Sequence, residues 1–242
     1  SALIQAGALD MGDRYSRSKI VLECQLWKLL TPRERIIALK FAQQGNDDLV
    51  NVINHMKVKV DDDGKRYIKD SRIETMKKRY EPYLNIYAIN KKNEDFANWY
   101  YENELLGYTH GVSLRDIFLE KQPRLNQIQD VKDMENKEKA FFVGTIEDAT
   151  GLKKSRSNNE YARFTIKDET DTVDVLLFNN KWKKSIDDCK EYNRGTLPDK
   201  KNIVLVKGIK NNDAVFADFV TVEDSKIYMK LGQLKNAEKN LI

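Results

Sequence analysis

Residues 161–178 read YARFTIKDETDTVDVLLF, and apolar residues occupy every second position on both sides of a polar break. This two-residue period predicts two β-strands, Tyr161–Lys167 and Thr172–Phe178, joined by a turn over 168–171. Successive side chains of a strand point to opposite faces. If Phe164 and Ile166 point into a core, the polar residues between them must point outward.

Similar patterns on both sides extend this pair into a larger sheet. Strands are predicted at Ala140–Ile146, Ile203–Ile209 and Ala214–Val222, and a helix is predicted at Asn180–Tyr192. Three strands, one helix and two strands, in that order, are typical of the OB-fold, a five-stranded β-barrel. The polar loop Thr150–Glu160 would join the first two strands.

The first half of the chain has the longer period of helices. Apolar residues at helical spacing predict the helices 16–30, 31–43, 47–56, 71–80, 93–106 and 114–119. Thr31, Pro32 and Glu34 have the spacing of a helix capping box with proline in the first turn. Gly7 can adopt the positive φ that ends a helix. The alternating stretch 58–68, centred on Asp61-Asp62-Asp63-Gly64, predicts a β-hairpin.

The fold class predicted from these patterns is α+β: a helical module followed by a five-stranded OB-fold β-barrel. The expected domains are a helical module over 1–122, a linker over 123–136, the barrel over 137–225 and a C-terminal tail over 226–242. The chain begins at Ser1 inside an apolar, helix-like stretch, which indicates a piece of a longer protein.

Composition and charge limit the classes of function that this chain can have. Lys and Arg number 42 against 38 Asp and Glu, for a net charge of +4, which permits a nucleic-acid partner without requiring one. Cys24 and Cys189 lie too far apart for a zinc motif and are expected to be free thiols of a cytoplasmic protein. No apolar run is long enough for a membrane span. Asp61, Asp63 and Gly64 begin like a calcium loop, but its closing glutamate is missing.

The candidate nucleic-acid-binding residues cluster on the predicted barrel. Cations of the first loop are a usual contact of OB-folds with phosphates, and an outward tyrosine can stack on a base. Two further lysines flank a second loop, between the last two strands. The predicted contacts are Lys153, Lys154, Arg156, Tyr161, Arg163, Lys167, Lys207 and Lys210. Trp182 is expected to pack beneath the barrel. No catalytic set, metal site or cofactor site is predicted.

Three segments resemble the α subunits of bacterial and phage DNA polymerase III, the C-family replicases. Residues 2–10 (ALIQAGALD) are similar to the segment that closes the family's helix-hairpin-helix region. Residues 102–108 (ENELLGY) are similar to the segment that precedes its OB domain, although the following residues 110–114 depart from the family pattern. The glycine-containing strand, the basic loop and the strand ending at Asp168 occur in the family's order.

This resemblance implies a non-catalytic part of a phage-type or prophage-type enzyme. The parent protein would be a DNA-directed DNA polymerase that uses Mg²⁺, and its catalytic aspartates lie in a palm domain that this chain lacks. The barrel would guide single-stranded template DNA, and the whole polymerase would also contact duplex DNA and a sliding clamp. Two alternatives stay open: a stand-alone OB-fold protein that binds single-stranded nucleic acid, and a protein-interaction module of a replisome.

Overall fold

A computed structural model describes residues 1–9, 15–45, 48–119, 122–178, 181–183 and 198–222, with only the backbone described for 219–222. The described chain forms two compact units, Ser1–Gly107 and a second that begins at Tyr108. The first unit is helical. The second contains a closed β-barrel.

The described residues of the first unit form six helices, and its main apolar core lies among α2 to α5. The helices are α1 (Ala2–Gln5), α2 (Arg17–Leu29), α3 (Pro32–Ala42), α4 (Leu49–Val58), α5 (Asp70–Lys91) and α6 (Glu94–Leu106). Leu22 and Leu26 of α2 are buried one helical turn apart and join Met56 and Met76 in the core. Gly7 follows α1 with a φ of 78°, as its position in the sequence predicts.

The predicted capping box at the start of α3 is confirmed. Thr31 Oγ1 accepts a hydrogen bond from the Glu34 backbone N–H at 3.3 Å, and Glu34 accepts one from the Thr31 N–H at 2.7 Å. Arg72 of α5 donates to both carboxylate oxygens of Glu34, at 2.9 and 3.0 Å. The cap of α3 therefore also attaches this helix to α5.

Two predictions for this unit are wrong. The expected hairpin over 58–68 is reduced to a single bridge, Val60 to Arg66, because α4 continues to Val58 and leaves too few residues for paired strands. Its Asp-Gly turn is present, and Asp61 accepts backbone hydrogen bonds within it. The helix expected to end at Tyr80 continues through Pro82 to Lys91 because its buried face, with Tyr83 and Asn90, continues as well.

The second unit confirms the predicted OB-type barrel. Its strands are β1 (Lys139–Lys154), β2 (Glu160–Lys167), β3 (Thr172–Phe178), β4 (Ile203–Asn211) and β5 (Ala214–Val222). They close in the order β1-β2-β3-β5-β4. The β3–β5 pair is parallel, and the other four pairs are antiparallel. Alternate residues of each strand fill the interior, with Phe142 and Phe164 as the largest fully buried side chains.

Two helices lie ahead of β1: the first has the bounds 114–119 that the sequence predicts, and the second lies within the expected linker. They are α7 (Leu114–Leu119) and α8 (Ile128–Asp133). Ile128 and Val131 of α8 are fully buried in the barrel core. The Asp168 carboxylate accepts a hydrogen bond from the Ile128 N–H at 2.8 Å. Residues 108–136 therefore group with the barrel, rather than with the helical module or a linker.

The ends of some predicted elements also differ. The first strand continues through residues 150–154, which the sequence assigned to a loop. Of the helix predicted at Asn180–Tyr192, residues 181–183 are helical, while the rest of it, Cys189 and the tail 226–242 lie outside the described residues.

None of the described helices combines the length and apolar character that crossing a bilayer needs.

Candidate nucleic-acid interface

Three aromatic side chains form a row across neighbouring strands of the barrel. The ring centroids of Tyr161 (β2) and Phe178 (β3) lie 5.4 Å apart. Phe178 in turn meets Phe216 (β5) edge-on at 5.1 Å. We call Tyr161, Phe178 and Phe216 the aromatic row.

The alternation of each strand places this row on the outer face of the barrel. Val175 and Leu177 of β3 and Val215 of β5 are buried in the interior, so their neighbours Phe178 and Phe216 point outward. Phe216 is 37% exposed. Tyr161 and Phe178 are half-buried. This partly exposed aromatic row lies outside the barrel core, which makes it a candidate binding surface.

The β1–β2 hairpin brings cations next to the aromatic row. Lys153 is the direct cross-strand partner of Tyr161, so the two side chains share the outer face. Beyond it, the loop 155–159 is closed by a hydrogen bond from the Ser155 N–H to the Asn159 carbonyl at 2.9 Å. Lys154 and Arg156 are exposed. Within the described parts of the chain, no ion pair joins Lys153, Lys154 or Arg156 to a carboxylate.

Two further predicted contacts lie on the outer face but are paired with carboxylates. Arg163 Nη2 lies 2.5 Å from Asp174 Oδ2, and Lys167 Nζ lies 3.4 Å from Glu147 Oε1. The hydrogen bond to Asp174 raises the pKa of Arg163. These cations share the face with the aromatic row, but their charges are already balanced.

Lys207 and Lys210 differ in their positions, and the prediction for Lys210 is corrected. Lys207 is exposed opposite Phe141 of β1. Lys210 is only 4% exposed and donates a hydrogen bond to the Lys132 carbonyl at 3.0 Å. The sequence placed Lys210 in a loop. Because β4 continues to Asn211, Lys210 instead has the same parity as the buried Val206 and faces inward. It cannot reach a phosphate.

Sequence reasoning missed two members of the aromatic row. The alternation of Val173, Val175 and Leu177 could have identified Phe178 as an outward residue. Phe216 required the parallel register that places it opposite Leu176, and no local pattern gives this register. Trp182 is partly buried and packs against the barrel core, as predicted.

The arrangement can bind bases and phosphates together. Flat aromatic faces stack on unpaired bases, and nearby cations pair with the nucleotide backbone. In the described ranges, no three His, Cys, Asp or Glu side chains come together as a metal site would need.

Comparison with known proteins gave structural likenesses only. No family model matches the sequence, and no curated protein matches it. The chain is similar to the solved structure of the mitochondrial single-stranded DNA-binding protein Rim1 of S. cerevisiae, with 19% identity and a TM-score of 0.29, over 37% of this chain and 97% of that one. It is also similar to yeast Stn1 and Ten1, with 12% identity and a TM-score of 0.28, over 43% of this chain and 54% of that one.

Proposed function

We propose that this chain binds single-stranded nucleic acid on the outer face of β2, β3 and β5. The observation that carries the proposal is the aromatic row, in which Phe178 contacts both Tyr161 and Phe216 across three strands. Each base stacked on an aromatic side chain contributes about 1–3 kcal/mol to binding. Double-stranded DNA, whose bases are already stacked inside the helix, cannot use this row.

The exposed cations of the β1–β2 hairpin would hold the phosphates. Lys153 lies beside Tyr161, and Lys154 and Arg156 extend the positive charge along the same hairpin. Each phosphate that a cation neutralises releases counterions, so binding weakens as salt rises. The nucleotide backbone would therefore run along the hairpin while its bases lie on the aromatic row.

A fluorescence-anisotropy titration across salt concentrations tests this function. We expect the full chain to bind labelled oligothymidylate more tightly than a blunt duplex of equal length. Changing Lys153, Lys154 and Arg156 together to Ala should lower the slope of log K against log salt by about 2, at about 0.7 per phosphate contact. An unchanged slope would mean that these three hairpin cations do not contact phosphates. Equal affinity for both oligonucleotides would contradict base stacking.

We further propose that the chain is a region of a C-family DNA polymerase III α subunit, of phage or prophage type. Three segments, at residues 2–10, 102–108 and 143–178, support this assignment by following the family's order. In such an enzyme the barrel would guide the template strand, while the palm domain with its Mg²⁺ ions would carry out nucleotidyl transfer. Clamp and duplex contacts would belong to the whole polymerase.

Two experiments separate this assignment from its alternatives. If the encoding gene continues upstream of Ser1 into a palm domain, the polymerase assignment is supported. A start codon just ahead of Ser1 would favour a stand-alone OB-fold protein instead. If the chain has no affinity for oligonucleotides even at low salt, the barrel is better explained as a protein-interaction module.

A further inference from the structure

The cations near the aromatic row fall into two groups. Arg163, Lys167 and Lys181 each form an ion pair with a carboxylate, namely with Asp174 at 2.5 Å, Glu147 at 3.4 Å and Asp218 at 2.6 Å, respectively. The hairpin cations form none within the described residues. The outer face of β2, β3 and β5 is therefore close to neutral, whereas the hairpin is positive.

Asp174 has the central position in this pattern. It is the direct cross-strand partner of Thr165, and its Oδ1 accepts a hydrogen bond from Thr165 Oγ1 at 2.9 Å. Its Oδ2 accepts the hydrogen bond from Arg163. The carboxylate is therefore held by two neighbours, and through Nη2 it neutralises the guanidinium group with the kind of charged hydrogen bond that a phosphate would otherwise make.

Arg163 lies within the reach of a bound strand. It is two residues after Tyr161 on β2, so its side chain is the next one on the outer face. Its partner across the sheet is Leu176, which is itself paired with Phe216. A free guanidinium at this point would attract phosphates to the surface where the aromatic row takes bases.

We propose that Asp174 is a selectivity residue, which occupies Arg163 and so makes the barrel wall accept bases in preference to phosphates. This inference rests on the proposed function of the aromatic row. Its consequence is discrimination against duplex DNA and against polyanions without bases, because such ligands offer phosphates only. Beside the aromatic row, the described cations that stay available to phosphates in the wild-type chain would then be those of the hairpin.

The variant Asp174→Asn tests this role in the full chain. Asparagine keeps the shape of the side chain and an oxygen for Thr165, but it removes the charge that holds Arg163. We expect the affinity for a blunt duplex and for inorganic polyphosphate to rise several-fold, with the duplex slope of log K against log salt steeper by about 0.9. The affinity for oligothymidylate should rise less, so the preference for single strands should fall.

Two matched variants show whether Arg163 is responsible. Asp213→Asn removes one exposed carboxylate from the turn between β4 and β5 and changes the net charge equally. It should leave the duplex affinity and slope unchanged. In an Arg163→Met background, Asp174→Asn should give no gain, because the cation that it frees is absent.

The outcomes separate this inference from the proposed function. If Asp174→Asn leaves duplex and polyphosphate binding unchanged, or if Asp213→Asn gives the same gain, the selectivity role is overturned, whatever the wild type does with single strands. If the wild-type chain itself shows no preference for oligothymidylate over duplex, the proposed function is contradicted. Because polyphosphate has no bases, its affinity measures only how far the loss of the Asp174 charge makes Arg163 available to phosphates.

Discussion

Tyr161 and Phe178 are direct cross-strand partners on the outer face of the barrel, and their ring centroids lie 5.4 Å apart. Each ring limits the rotation of the other, so the pair offers a fixed aromatic surface before any ligand arrives. A surface that is already ordered loses less conformational entropy on binding than one that must be arranged. This pair should therefore contribute strongly to base stacking.

The first prediction is that Phe178→Ala weakens binding of oligothymidylate. The substitution removes the central ring, which contacts both Tyr161 and Phe216. We expect a loss of about 1–3 kcal/mol, which is about fivefold to about 150-fold in Kd, measured by fluorescence anisotropy. The salt slope should not change, because no phosphate contact is lost.

Tyr108→Ala is the matched control for this prediction. Tyr108 is 63% exposed and lies outside the barrel strands, so its loss removes an aromatic side chain of similar size from the same unit. We expect its Kd for oligothymidylate to equal that of the wild type. Equal losses in the two variants would mean that the row has no special role.

The second prediction concerns the attachment of α8 to the barrel. Asp168 is 7% exposed, and its carboxylate accepts hydrogen bonds from the backbone N–H groups of Ile128, Thr170 and Asp171. Asp168→Ala would leave buried donors without partners, which typically costs about 1–3 kcal/mol. We expect a lower urea midpoint in equilibrium unfolding. The exposed Glu160→Ala should leave the midpoint near the wild-type value.

The third prediction concerns the close approach of β4 and β5 at Gly208. A Cβ atom at this position would lie 2.5 Å from the Phe216 carbonyl oxygen and 2.7 Å from the Ala217 Cα. Both are backbone atoms of β5, which cannot move away from β4 without disturbing the ladder, so Gly208→Ala should destabilise the chain by about 1–3 kcal/mol. Thermal unfolding measures this loss. Lys207→Ala, one residue earlier on the outer face, should unfold at the wild-type temperature.

The fourth prediction is a pH-dependent contribution of Glu34 to the stability of the helical unit. Burial opposes ionisation of this carboxyl group, but the hydrogen bonds from Arg72 and Thr31 outweigh it and lower the pKa of Glu34. Because the folded-state pKa is lowered, the stabilisation is present above the unfolded-state pKa of about 4.3. It disappears as the pH falls through the folded-state value.

Urea unfolding of Glu34→Gln across pH tests this linkage. Near neutral pH we expect the variant to be less stable than the wild type by about 1–3 kcal/mol, since the Arg72 guanidinium loses a charged partner. The difference should shrink as the pH falls below 4.3, because the unfolded wild-type chain then takes up this proton while the folded chain keeps Glu34 ionised until the pH reaches the lower folded-state pKa. A difference that is constant down to pH 2 would rule out the ionised Glu34 as its source.

Local pattern was sufficient where a single element determines the outcome. The alternation of Phe164 and Ile166 with polar residues predicts β2 within one residue of its observed start, and Thr31 with Glu34 predicts the cap of α3. These features depend on neighbours a few residues apart. Pattern failed at 58–68, where the end of α4 removes the residues that a hairpin would need.

The candidate site was only partly predictable, because strand ends and register decide which side chains meet. The sequence placed Lys210 in a loop. Because β4 continues to Asn211, Lys210 instead points inward and donates a buried hydrogen bond. The sequence alone gives no reason to single out Asp174, and only the β2–β3 register shows that it lies beside Arg163. In both cases, the local amino-acid pattern does not reveal the contact.

The amino-acid sequence alone determined the two structural classes, the strands of the barrel and the cations of its first hairpin, since two-residue and helical periods are properties of contiguous residues. Only the tertiary structure decided that Phe178 and Phe216 join Tyr161, that α8 belongs to the barrel core and that Asp174 occupies Arg163. The physical reason is that closing a sheet into a barrel pairs strands far apart in sequence. Which side chains then share the outer face depends on a register that no single strand encodes.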